Sequence, residues 1–156
     1  MNASSNIKSN GDAFDVFSTL WNSQQSLTSV DGLYFIPHAD GGGPPMLLAV
    51  RLTFGNIVVM LSAQGDDSMT ISLGGRFGDE VDCEVRSLNE VTPWKHAVSL
   101  PVMWAWRMIN QQHYFDGIQF DFQETVDTSV TRIQLIVLGS AFRIYWQINP
   151  VWERMQ

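Results

Sequence analysis

Residues Asp116–Ile148, DGIQFDFQETVDTSVTRIQLIVLGSAFRIYWQI, decide the fold, because their side chains alternate three times over. Gly139-Ser140 is a two-residue turn, with a glycine free to take the positive φ that a primed turn requires. Closing the chain there sets Val137 opposite Phe142, Leu135 opposite Ile144 and Ile133 opposite Trp146, all on one face. The other face pairs Ile136 with Arg143, Gln134 with Tyr145 and Arg132 with Gln147. A slip of one residue would mix the two faces, so the register is well specified. Upstream, Ile118, Phe120 and Phe122 alternate with Gln119, Asp121 and Gln123. A turn through Val126–Ser129 brings Phe122 beside Ile133, Phe120 beside Leu135 and Ile118 beside Val137. The result is an apolar layer on three antiparallel strands, each large side chain gaining roughly 1.5–3 kcal/mol when fully buried.

The pattern repeats earlier in the chain. Val30–Ile36 reads as a strand stopped by Pro37. Met46 to Gly74 reads as a second meander, with Gly55-Asn56 as its first turn. Phe54 then meets Ile57, Leu52 meets Val59 and Val50 meets Leu61, while Arg51, Thr53, Val58 and Met60 take the opposite face. After a turn at Gln64–Asp67, Met69, Ile71 and Leu73 extend the apolar side.

Three segments have helical spacing. Phe14, Phe17 and Trp21 recur at i, i+3 and i+7 within Asp12–Asn22, with Asn10 or Asp12 as cap. Thr92-Pro93-Trp94 opens a short helix to about Ser99, limited by Pro101. Met103–Gln112 is the third, with Trp104 and Met108 on one stripe. The expected fold class is α+β: a mostly antiparallel sheet of six to seven strands in two meanders, with short helices over its apolar face. One curved sheet and a half-open barrel are the two closures this pattern allows.

A chain of 156 residues suits one domain. We expect residues 1–11, polar and rich in Asn and Ser, to be a disordered tail, and residues 12–156 to form the domain. No apolar run approaches the ~20 residues of a membrane helix, and no basic segment precedes an apolar one as in a secretory leader. Cys83 is the one cysteine, so neither an internal disulfide nor an all-cysteine zinc site can form, and a reducing cytoplasm is the expected compartment. The net charge of −7 opposes a phosphate backbone and suits a basic protein partner. Neither nucleic acid nor membrane is expected as a partner; oligomeric state is not readable.

Little catalytic apparatus is visible. His113 as general base, oriented by Asp116, is one constellation; with Asp121 it would line a pocket under Trp104 and Trp106. No nucleophile elbow, zinc-protease, paired-cysteine or dinucleotide motif occurs. His38 and Asp40, on a Gly- and Pro-rich loop, are two metal-ligand types without a third. Asp79, Glu80, Asp82 and Glu84 form an acidic run that lacks the spacing of a calcium loop; a solvated, charged edge is the simpler reading. No metal or cofactor is expected. The outward row of the strong sheet carries Arg132, Arg143 and Tyr145, residue types that anchor protein interfaces.

One segment carries a resemblance. Trp94, then Leu100-Pro101-Val102-Met103-Trp104-Ala105-Trp106, then Asn110-Gln111-Gln112-His113-Tyr114-Phe115-Asp116-Gly117-Ile118-Gln119-Phe120, resembles a family of small bacterial proteins of unknown function. The pattern is a W-x-W helix, an N-Q-Q-x-Y-x-D-G turn and a strand; it spans Trp94–Tyr145. The resemblance implies a bacterial cytoplasmic protein and supplies no activity. Small acidic α+β bacterial domains are similar in general character to immunity proteins that neutralise toxins, an analogy at the level of the fold. The expected function is therefore a non-enzymatic, immunity-like protein-binding domain. Its contacts would be the acidic run Asp79, Glu80, Asp82 and Glu84, or Arg132, Arg143 and Tyr145. The alternatives are a small metal-dependent or hydrolytic enzyme using His113 and Asp116, and a small-molecule-binding domain.

Overall fold

Alternating side chains build most of the molecule. The computed structural model describes residues 13–38 and 42–149. The expected tail at 1–11, the caps Asn10 and Asp12, and Asp40 lie outside the described residues. Among the described residues there are nine strands: β1 Ser29–Phe35, β2 Met46–Phe54, β3 Ile57–Ala63, β4 Met69–Leu73, β5 Cys83–Ser87, β6 Val102–Ile109, β7 Phe115–Phe122, β8 Val130–Leu138 and β9 Ala141–Asn149. They form two open sheets, one of five strands in the order β4-β3-β2-β1-β5 and one of four in the order β6-β7-β8-β9. Every pairing is antiparallel. The expected six to seven strands were too few, and neither one curved sheet nor a half-open barrel is what forms.

The inner faces of both sheets share one core. Val50, Leu52, Phe54, Val59, Leu61 and Met69 meet Ile118, Phe120, Phe122, Ile133, Leu135 and Val137 in a single buried cluster. The first meander has the register its sequence specifies, with Phe54 opposite Ile57, Leu52 opposite Val59 and Val50 opposite Leu61. So does the β8–β9 hairpin, with Ile133, Leu135 and Val137 opposite Trp146, Ile144 and Phe142. Its turn residues Gly139 and Ser140 both have positive φ, 63° and 62°, the geometry that matches the twist of the flanking strands.

The β7–β8 register is displaced by two residues from the sequence expectation. Phe120 faces Ile133 and Ile118 faces Leu135, while Phe122 faces Thr131. A shift of two keeps every side chain on its face, so alternation alone does not distinguish the two registers. The connecting loop decides: Gln123 Nε2 donates to the Thr128 carbonyl at 2.8 Å, and the Thr125 amide donates to Thr128 Oγ1 at 3.1 Å. These bonds close a longer loop than Val126–Ser129. Trp146 departs too. It is 49% exposed and lines a hollow with Arg132, Gln134, Tyr145 and Gln147.

Helical content is small. Helix α1, Val16–Asn22, buries Val16, Phe17 and Leu20, and Phe17 meets Phe120 edge-on at 5.0 Å between ring centroids. The segment opened by Thr92-Pro93 is a single 3-10 turn, Trp94–His96, and the Thr92-Pro93 bond is cis. Met103–Gln112 is not a helix. Val102–Ile109 is strand β6, paired along β7. Hydrogen bonds also link the two halves: Leu27 donates its amide to the Leu100 carbonyl at 2.9 Å and accepts from the Ser99 amide at 2.8 Å, and the Ser140 amide donates to Asp67 Oδ1 at 2.7 Å.

Candidate functional site

Reassigning β6 as a strand reorganises its side chains. Ala105 and Arg107 stand opposite Phe120 and Ile118 on the inner side, while Trp104 and Trp106 stand opposite Asp121 and Gln119 on the outer side. The outer face of the four-stranded sheet then reads in rows. One row runs Trp104, Asp121, Arg132, Gln147; the next runs Trp106, Gln119, Gln134, Tyr145. Arg143 follows, opposite Ile136.

This face is mostly open. Trp104 is 55% and Tyr145 51% exposed. The two indoles lie 6.3 Å apart at 27°, so they form a nearly continuous aromatic strip. Asp121 is an exception, at 4% exposed, because its cross-strand neighbours Trp104 and Arg132 flank it. Arg132 grips it in a fork, with Nε donating at 2.7 Å and an Nη at 2.8 Å. The carboxylate's hydrogen bonds hold the guanidinium still more firmly protonated than usual. That guanidinium also lies 5.9 Å from the Trp106 ring centre, within cation–π range. Beside it, Gln134 donates to Gln119 at 2.6 Å. A hollow of about 160 Å³ opens among Arg132, Gln134, Tyr145, Trp146 and Gln147. Such a surface stacks on apolar or aromatic groups and offers charged donors to carboxylates.

The sequence candidates divide between locations. Arg132, Arg143 and Tyr145 come together on this face. Asp79, Glu80, Asp82 and Glu84 lie on the other sheet, in the crossover to β5 and on β5 itself. There His38 reaches Asp82 at 3.1 Å and Arg86 reaches Glu84 at 3.0 Å. Cys83, between them, has its thiol pKa pushed up by burial first and then by Glu80 and Asp82.

The proposed catalytic group does not assemble. His113 sits in the β6–β7 turn with φ 66°. Asp116 accepts from Asn110 Nδ2 at 3.2 Å, and among the described residues His113 makes no hydrogen bond to it. Asp121 lies five residues along β7, about 17 Å away at the usual strand rise. No group of three or more His, Cys, Asp or Glu side chains gathers to hold a metal among the described residues. No described helix is long and apolar enough to cross a membrane. The tryptophans of β6 were the residues missed as part of this face. Their period-two spacing, with Met108 after Trp104 and Trp106, was the available signal.

A model of a family of unknown function, DUF6334, matches residues 12–150. The chain belongs to that family. The DUF6334 match covers far more than the Trp94–Tyr145 resemblance and encloses all nine described strands. No curated protein and no solved structure matches the chain.

Proposed function

We propose that this is a non-enzymatic protein-binding domain, immunity-like in character and cytoplasmic, that holds its partner on the outer face of the four-stranded sheet. The observation that carries this reading is the row of exposed aromatics, Trp104, Trp106 and Tyr145, on regular strands. Large aromatics gathered on a rigid exposed surface mark interaction sites, and Trp, Tyr and Arg supply most binding hot spots. Strands hold these side chains in place before binding, which lowers the entropic cost of association. The acidic run is a weaker candidate for the contact, because Asp82 and Glu84 already have side-chain partners, His38 and Arg86. Its carboxylates serve solubility and block strand pairing at the β5 edge.

The test is affinity capture from a lysate of the source cells with three baits. These are the wild type, Trp104→Ala with Trp106→Ala, and Asp79→Lys with Glu80→Lys. A protein retained by the wild type and the acidic-run variant but lost with the tryptophan variant supports the reading. Loss with the acidic-run variant alone overturns it in favour of the acidic contact.

A second reading has its own observation. A groove of about 280 Å³ runs between α1 and β6, lined by Phe14, Phe17, Trp21, Met103 and Trp104 among others. Its aromatic walls suit a small apolar ligand. A metabolite panel read by intrinsic fluorescence tests it; a flat response removes it.

A further inference from the structure

Resting on the sheet-face reading, we propose that the bound partner presents an extended acidic segment, with two carboxylates four residues apart flanking an apolar or aromatic side chain. The inference starts from charge. The whole chain carries −7, yet the outward positions of β6–β9 hold two guanidiniums, Arg132 and Arg143, against one carboxylate, Asp121. That carboxylate is buried and both its oxygens are taken. Among the described residues, no accessible carboxylate remains at these outward positions. Arg143 is exposed and forms no ion pair among the described residues. Arg132 keeps N–H donors that Asp121 does not use, since its fork has five. Exposed charges farther off than about 8 Å are largely screened at physiological salt, so the local sign governs what docks.

Spacing sets the form of the segment. Arg132 stands opposite Gln147, and Arg143 lies four residues back along β9. At the usual rise that is about 14 Å along the strand. An extended partner has side chains i, i+2 and i+4 on one side over the same length. Carboxylates at i and i+4 reach the two guanidiniums, and the i+2 side chain falls over Tyr145. The residue nearest Arg132 has the hollow beside Tyr145 and Trp146 to fill.

The experiment uses a blocked seven-residue peptide with glutamate at its second and sixth positions, phenylalanine at the fourth and threonine elsewhere. Glutamine and lysine versions serve as comparisons. Binding to the full chain is read by tryptophan fluorescence at low and high salt. The glutamate peptide should saturate, weaken with salt, and bind about tenfold less tightly to Arg143→Glu, the loss of one charge-assisted contact. The lysine peptide should gain on that variant. Arg143 is exposed on an edge strand, so the variant should fold, and circular dichroism checks this. Equal binding of the glutamine peptide, preference of the wild type for the lysine peptide, or no saturable response to the glutamate peptide each overturns the proposal. A charge arm that fails while Trp104→Ala with Trp106→Ala still loses the captured partner leaves the face reading standing and removes only the acidic segment.

Discussion

The outer faces of the two sheets are built on the same device and end in different states. On the five-stranded sheet, Asp31 and Arg51 pair across strands at 2.8 Å, with Arg51 5.0 Å from the Phe77 ring centre. On the four-stranded sheet, Asp121 and Arg132 pair at 2.7 Å, with Arg132 over Trp106. The first face is covered: Leu33, Ala49 and Met60 form a small cluster beneath Phe77 and Cys83. The second is bare among the described residues. Topology makes the difference. The chain leaves β4 on one edge and enters β5 on the opposite edge, so residues 74–82 must cross the outer face, and they carry Phe77 over it. The meander β6-β7-β8-β9 needs no crossover, and no described segment passes over its aromatics. The face left open among the described residues, with its tryptophans exposed, is the one on which the proposed partner would dock.

Removing each aspartate tests how far the two devices are alike. Asp121 is nearly buried and accepts two bonds, whereas Asp31 is partly exposed and accepts one. Asp121→Ala should cost about 2 kcal/mol of unfolding free energy, and Asp31→Ala about 1 kcal/mol, for hydrogen bonds to charged groups. Arg132 retains access to water, so the larger penalty of a fully buried pair does not apply. Urea denaturation of both variants measures the gap. Equal losses would mean that burial of Asp121 adds nothing and that the open face is held no more rigidly than the covered one.

The aromatics should divide stability from binding. Phe77→Ala strips the cover from Leu33, Ala49 and Met60 and should cost about 1.5 kcal/mol, the low end for a large apolar side chain. Trp104→Ala removes a ring that is more than half in water and should change stability by no more than about 0.5 kcal/mol. Its effect should fall on partner capture instead. If Trp104→Ala destabilised the protein as much as Phe77→Ala, the indole would be part of the fold, and the contrast between the faces would fail.

The same contrast explains what the sequence made legible. Where apolar residues point inward and polar ones outward, as in β2, β3, β8 and β9, the two-residue period named the strand, the register and the core. In β6 the polarity is reversed, with Trp104 and Trp106 outward and Ala105 and Arg107 inward. An apolar residue on both faces erases the alternation and leaves Trp104 and Met108 at helical spacing, so the strand read as a helix. The open face was therefore half legible: Arg132, Arg143 and Tyr145 were in view, and the tryptophans that complete it were not. The β7–β8 register failed for another reason, since it is fixed by hydrogen bonds inside a polar loop that hydrophobic pattern does not encode.

Cys83 gives the finest probe of the cover. It packs against the Leu33, Ala49 and Met60 cluster, and burial, then Glu80 and Asp82, raise its thiol pKa. Only the thiolate reacts with iodoacetamide. Alkylation should thus be slower at neutral pH than for a free cysteine, and should climb about tenfold per pH unit to beyond the free-thiol value of about 8.5. The linkage has the matching sign: a raised pKa in the folded state favours the protonated thiol, so its small contribution to stability is complete below the unfolded pKa and is lost as pH rises through the folded one. Phe77→Ala should speed alkylation by admitting water to the cluster, and Trp104→Ala, on the other sheet, should leave the rate unchanged. A rate that ignored both substitutions would mean that residues 74–82 do not shield this face, and the distinction between a covered and an open sheet would rest on the tryptophans alone.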